Sequence, residues 1–427
     1  MKSWVITITL LGCMHLSAQI PPHILFTESE MQSYVRWKGD TLLMYDHPQQ
    51  DAVGQPEFIL FPVEHKQWKY WLKTLPLDSL VKLYTRKSRL PVVISTPQAD
   101  EVRSPHSGTG HLLSGWRIAI DPGHMAGDPV FAREVEGKYM KMDSSQATYH
   151  QAIEFYESEL TLATALILKD SLEKLGATVL LTRTQCGKAS HGLSFEEWKA
   201  TAFTDSLNRE VRSGEMSFAQ AIWWRQRAND GQIFKSWFNR SDLHHRIGMI
   251  REFRPDLTLV IHYNVDLTNW EQRQENGSFL PGMNNYSMAF VPGAFMNGEL
   301  AQVEDRIMML RLLLTDDYAA SVRLSSAFIQ ASQRYTGVPP VSQTSGLRYL
   351  QVASRFVGEE GVYARNLSLT RNISGPVCYG ESLCQDARWE AIRLNQRDLE
   401  VGSLHVSSRV AEVAQAYLEA VKQFVFE

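Results

Sequence analysis

The sequence predicts an α/β protein whose mostly parallel or mixed central sheet is flanked by helices, preceded by a small N-terminal α+β unit. Three observations predict it. From about residue 115 onward, short β-branched runs alternate with helical patterns, as in a largely parallel sheet. Two of those runs end in polar clusters, Asp121-Pro-Gly-His124 and His262-Tyr-Asn264. The segment from Ser95 to Gly110 is rich in Pro, Ser, Gly and charge, which reads as a linker after an earlier unit.

Each element follows from its local pattern. Residues 1–18 carry Lys2, an interrupted apolar run and Ser17-Ala18, the layout of a secretory signal peptide cut after Ala18. Leu10-Leu-Gly-Cys13 loosely resembles a lipoprotein cleavage box, so a lipid anchor at Cys13 is the alternative to soluble export. No other run is long and apolar enough to span a membrane. Residues 20–100 form the small N-terminal unit, with strand patterns at Thr41–Tyr45, Phe58–Pro62 and Pro91–Ser95. A helix pattern in the same unit includes Trp68, Trp71, Leu72 and Leu80. Residues 101–114 are the linker, and 115–427 the main domain. There, Trp116–Ile120 is a strand, and a helix runs from about Glu157 to Leu175 through Leu162, Leu166, Leu168 and Leu172. Gly176 stops that helix. Ala177–Thr182 and Asp256–Ile261 are further strands, the second preceded by a helix through Leu243, Ile247 and Ile250. The last helix is read from Val406, Val410, Val413, Tyr417 and Val421, which step by helical intervals.

Composition excludes several classes. With 427 residues and 44% hydrophobic content, the chain can bury a sizeable core and is not a disordered polymer. Forty-three Lys+Arg against 47 Asp+Glu give a net charge of −4, with no basic footprint for nucleic acid. Four cysteines exclude a small disulfide scaffold. An exported chain keeps Cys186, Cys378 and Cys384, an odd number.

The chemistry-bearing residues stand just past strands, where ligands gather in open α/β sheets. His124 closes one strand and His262 another, so the two are candidates for one metal site. A catalytic zinc typically takes three protein ligands and keeps an open position. Glu154, Glu157 and Glu159, at the start of the following helix, are candidates for the third, although acids there also suit the helix dipole.

The blocks Ile118-Ala-Ile-Asp-Pro-Gly-His124, Glu157-Ser-Glu-Leu-Thr-Leu-Ala-Thr-Ala165, Asp256–Asn264 and Pro376-Val-Cys-Tyr-Gly-Glu381 resemble, in order, those of the zinc-dependent N-acetylmuramoyl-L-alanine amidases. The resemblance spans roughly residues 115–425. It implies the zinc amidase, phosphorylase/hydrolase-like fold, with a Zn2+ ion on His124, Glu157 and His262 and Glu159 as the fallback acid. It implies Glu381 as the catalytic acid/base, and Asp121 and Asn264 as substrate-binding or ligand-orienting groups. The implied reaction is hydrolysis of the amide between N-acetylmuramic acid and L-alanine in peptidoglycan, in the periplasm or cell envelope. A catalytically silent peptidoglycan-binding or regulatory relative, or a zinc hydrolase of another amide, are the alternatives.

Departures from the family pattern surround this site. Met125-Ala-Gly-Asp128 replaces the usual Gly-Gly after the first His, and Glu157 lies 33 positions after His124. An insertion covers about 184–240. Its Trp223-Trp224 and Trp237-Phe238, with Arg225, Arg227 and Arg240, could stack on sugars and hold carboxylates, or could bury the insertion against the domain. His244 and His245 are adjacent on a helix and diverge, which speaks against a second metal there.

Overall fold

The fold is given by a computed structural model that describes residues 34–48, 55–89, 110–142, 152–266, 281–296 and 298–426. The leader at 1–18, Cys13, the strand expected at 91–95 and the first nine positions of the expected linker, 101–109, lie outside those residues. The strands are β1 (Val35–Lys38), β2 (Thr41–Met44), β3 (Phe58–Leu60), β4 (Arg117–Pro122), β5 (Tyr139–Met142), β6 (Ile153–Tyr156) and β7 (Thr178–Leu181). They continue with β8 (Leu257–Asn264), β9 (Met288–Val291), β10 (Ser354–Phe356), β11 (Val362–Arg365), β12 (Val377–Cys384), β13 (Leu399–Val401) and β14 (Leu404–Val406). The main helices are α1 (His65–Thr74), α2 (Leu77–Arg89), α3 (Glu157–Lys174), α4 (Phe195–Thr201), α5 (Phe203–Ser213) and α6 (Phe218–Gln226). They continue with α7 (Asn239–Phe253), α8 (Val303–Leu314), α9 (Asp317–Thr336), α10 (Arg348–Ala353), α11 (Arg388–Leu394) and α12 (Arg409–Phe426).

The seven-stranded central sheet has the order β10-β11-β9-β12-β8-β4-β7. The block β12-β8-β4-β7 is parallel throughout, whereas β9 runs antiparallel to β12. The sheet is therefore mixed, flanked by helices, as its sequence predicts. β8 lies at the centre of the parallel block, and Leu257 through Tyr263 are all buried, hence its nearly unbroken apolar reading. Helices α3, α9 and α12 cover one face. The other face packs Ala119, Val260 and Val377 beneath Ile247 and Ile250 of α7, with Leu369 and Ile373.

Strands β1, β2 and β3 form a separate antiparallel sheet backed by α1 and α2. This small unit shares one apolar core with the main domain, because α8 packs against both α1 and α2. Arg306 of α8 also pairs with Glu57 at 3.0 Å. The last helix starts later than its periodicity suggests. Val406 ends β14, opposite Leu399, and the Ser407 hydroxyl accepts from the Arg409 amide at 3.1 Å to open α12. Cys378 and Cys384 are both free, six positions apart along β12, a separation of about 20 Å that no disulfide spans.

Candidate metal centre

Two parallel strands and one helix start deliver the site. β4 ends in Asp121-Pro-Gly-His124, β8 carries His262, and α3 begins at Glu157. At the helix start the backbone N–H groups favour a carboxylate, and Glu157 is fully buried there. Gly123 is obligatory: a Cβ at this position would lie 2.2 Å from Cε1 of His262, whose imidazole occupies that space. His124 itself adopts φ +60°, a left-handed conformation that a non-glycine residue takes only where its surroundings hold it.

Those surroundings are explicit. The fully buried Arg183 donates to the Gly123 carbonyl at 3.1 Å, and the Thr161 hydroxyl donates to the same oxygen at 2.7 Å. Arg246 donates to the carbonyls of Pro122 at 2.9 Å and His124 at 3.3 Å. Glu136 accepts from the amides of Met125 at 2.9 Å and Ala126 at 3.0 Å, and its Oε1 lies 3.4 Å from Nδ1 of His124. That contact occupies Nδ1 and turns Nε2 inward. Nε2 is buried without a hydrogen-bond partner and faces Oε2 of Glu157 at 3.2 Å.

The ligand atoms of His124, Glu157 and His262 all lie within 4.8 Å of one another. Tetrahedral zinc with bonds of about 2.0–2.1 Å sets its ligand atoms roughly 3.3 Å apart, so the 3.2 Å approach of Nε2 to Oε2 suits such an ion. Two imidazoles and one carboxylate, with an orphaned buried nitrogen among them, could hold a divalent metal. Glu157 is further fixed by the Tyr263 amide at 3.0 Å and the Gln385 amide side chain at 3.1 Å. Oε1 of Glu157 also lies 3.1 Å from Nδ1 of His262. Burial works against its charge, but His124 and Lys138 outweigh that and hold the Glu157 carboxyl well below the usual range. Burial lowers His262, favouring the neutral ring a metal needs.

Glu381 stands beside His262 in the β12–β8 register, and the His262 ring stacks on Tyr379 at 4.7 Å between centroids. Burial, reinforced by the charge of Glu157, pushes the Glu381 carboxyl up to about 7. The other expected site residues divide. Asn264 lies two positions past His262 on the same face of β8, and its Oδ1 accepts from the Val265 amide at 2.9 Å. Asp121 sits beneath the site, hydrogen-bonded by Thr182 and paired with Arg246 at 3.2 Å. It orders the turn rather than facing the ligands. Glu159 turns away to Arg397 at 2.8 Å, and Glu154 is exposed on β6, so neither joins the cluster.

Sequence reasoning missed Glu136, Lys138, Arg183 and Gln385. All act through side chains whose partners lie far along the chain, and no local pattern marks them. The insertion packs its own core: Trp237 and Phe238 are buried with Phe195, Trp198 and Phe203, and Met125 joins them. Met125 in place of glycine thus ties the turn after His124 to the insertion. Trp223 is 44% exposed. Arg225 bonds Asn208 at 2.5 Å, and Arg240 pairs with Glu210. His245 bonds Ser190 at 3.0 Å.

No family model matches the chain, and no curated protein matches it. Solved structures similar to it include the CwlD amidase from Clostridioides difficile in complex with the GerS lipoprotein, at 14% identity and a TM-score of 0.38, covering 73% of this chain and 98% of that one. Another is the N-acetylmuramyl-L-alanine amidase Ami1 from Mycobacterium smegmatis, at 13% identity and a TM-score of 0.38, covering 74% and 98%. A third is the catalytic domain of CwlV, an N-acetylmuramoyl-L-alanine amidase from Bacillus (Paenibacillus) polymyxa var. colistinus, at 12% identity and a TM-score of 0.35, covering 73% and 98%. The chain is thus similar, over about three-quarters of its length, to amidases of known structure.

Proposed function

We propose that this chain is a zinc-dependent N-acetylmuramoyl-L-alanine amidase that cleaves the bond between the lactyl group of N-acetylmuramic acid and L-alanine of the stem peptide. One observation carries the reading. Three sequence blocks far apart in the chain bring His124, Glu157 and His262 within 4.8 Å, with Glu381 in register beside His262. His124, Glu157 and His262 would hold the ion, which when bound supplies Lewis-acid polarisation of the amide carbonyl and a more acidic water.

The protein's own groups do the rest. Glu136 and Arg183 keep the strained His124 turn in place, so Nε2 stays aimed at the ion position. Glu381, with its carboxyl near 7, accepts the proton of the attacking water at neutral pH and delivers it to the departing amine nitrogen. The Asn264 side chain, two positions past His262, donates to a substrate carbonyl. Export as a soluble protein, with the leader at 1–18 removed, places the enzyme in the periplasm or cell envelope beside its substrate. No helix among the described residues is long and apolar enough to cross a membrane. Residues 115–427 form the catalytic domain in this reading, and 20–100 an accessory unit.

Metal analysis of the purified protein and incubation with peptidoglycan test the proposal. One zinc per chain is expected, with new L-alanine amino termini on intact glycan strands. Glu381→Gln retains the metal and loses at least about 100-fold in cleavage. Sacculi bound but uncut by the zinc-loaded protein would instead assign a binding role. Undiminished cleavage by the Gln variant would refute the role given to Glu381.

A further inference from the structure

The segment between His124 and Glu157, 33 positions apart, does more than lengthen a loop. Among the described residues, this segment forms a turn over Ala132–Glu136, closed by Gly137 at φ +76°, and then the antiparallel pair β5–β6. The pair is pinned at the site, because the Lys138 amide donates to Ala132 at 2.7 Å and the Lys138 carbonyl accepts from the Glu157 amide at 3.3 Å. The turn brings two charged side chains to the cluster. Glu136 takes the loop amides and the His124 ring, as described above. Lys138 is half-buried and sets its ammonium 3.6 Å from Oε2 of Glu157. That is the same oxygen that faces Nε2 of His124. The carboxylates of Glu157, Glu381 and Glu136 all act on the Lys138 ammonium.

We propose that Lys138 is a positioning residue that competes with the metal: its ammonium serves as the counter-ion of Glu157 and weakens the hold of the site on a divalent cation. This rests on the metal centre proposed above. A cation bound to the shared carboxylate oxygen lies within about 6 Å of the ammonium, and two like charges at that separation repel even through bulk water. A dication doubles the effect, so neutralising Lys138 tightens metal binding by at least about tenfold. The consequence for the protein is a readily exchanged ion, with Glu157 kept charged and in place while the ion is absent.

The experiment measures the zinc dissociation constant of the full chain by competition with a chromogenic chelator, at neutral pH, for the parent, Lys138→Met and Lys138→Arg. The Met variant binds zinc at least about tenfold more tightly and releases it more slowly, whereas Arg, which keeps the charge, stays close to the parent. Lys138→Gln is a second neutral variant should Met perturb folding, and circular dichroism verifies each fold. Equal affinities across the series, or weaker binding in the neutral variants, would overturn the competition while leaving the metal centre standing. No zinc bound by any of the proteins would sink both.

Discussion

At the residue scale the site is a matter of tolerances of a few tenths of an ångström. Gly123 is the sharpest example, since its missing side chain is where the His262 imidazole sits. Gly123→Ala forces either the ring or the β4 turn to move, and overpacking of this kind costs about 1–3 kcal/mol. The expected result is a lower melting temperature together with loss of tight zinc binding. A variant that binds zinc normally would show that the ring has room the geometry denies it. Glu136 acts differently, by occupying Nδ1 of His124 and two loop amides. Removing such a ligand-orienting partner typically weakens a metal site about 10–100-fold. Glu136→Gln should therefore raise the zinc dissociation constant by that factor, as measured by chelator competition.

At the element scale, α7 braces the end of β4 through a buried charge chain. Arg246 pairs with Asp242 at 2.8 Å and Asp121 at 3.2 Å, and Asp242 also accepts from the Ser190 amide at 2.8 Å. Burial alone would raise the Asp242 carboxyl, but Arg246 and Ser190 outweigh it and lower it below its ordinary value. A depressed folded pKa means the stabilisation is present above the unfolded value of about 3.9 and fades as pH falls through the folded value. Asp242→Asn should thus cost about 3–5 kcal/mol at neutral pH, with the gap to the parent closing below about pH 4 in denaturant titrations. A gap unchanged at pH 3 would mean that the carboxylate charge does not stabilise the helix contact. Of these residues the sequence singles out only Asp121, through its block; Ser190, Asp242 and Arg246 are ordinary polar residues until the fold brings them together. Strands β4, β7, β8 and helix α3 were legible, since their apolar runs have the right period and end at Gly176 or at polar tips. The clustering of His124, Glu157 and His262 was legible through the blocks that resemble the amidases. Strand β1 and the pair β5–β6 were not: each strand is four residues long and defined by its partner strand rather than by its own pattern.

At the scale of the whole molecule, the question is what the small N-terminal unit does for the main domain. Helix α8 gives the physical answer. Among its twelve residues, Arg306 through Leu312 and Leu314 are all buried, so it has no solvent-facing stripe. A helix buried all round must be covered on two sides. Helix α9 and the turn at Glu299–Ala301 account for one, and α1 with α2 for the other. Arg306 extends the seam, donating to Leu300 at 2.7 Å and Ala301 at 2.9 Å while pairing with Glu57, which also accepts from Tyr84 at 3.2 Å. Removing residues 1–100 would strip this cover, exposing several large apolar side chains that each gain about 1.5–3 kcal/mol from burial. It would also take away Glu57, the acid that pairs with Arg306. The shortened chain should melt at least about 10 °C lower than the full chain and bind a hydrophobic dye such as ANS. The milder Glu57→Gln should lower the melting temperature by only a few degrees. A shortened chain that melts with the parent and binds no dye would show instead that 115–427 folds without support from the N-terminal unit.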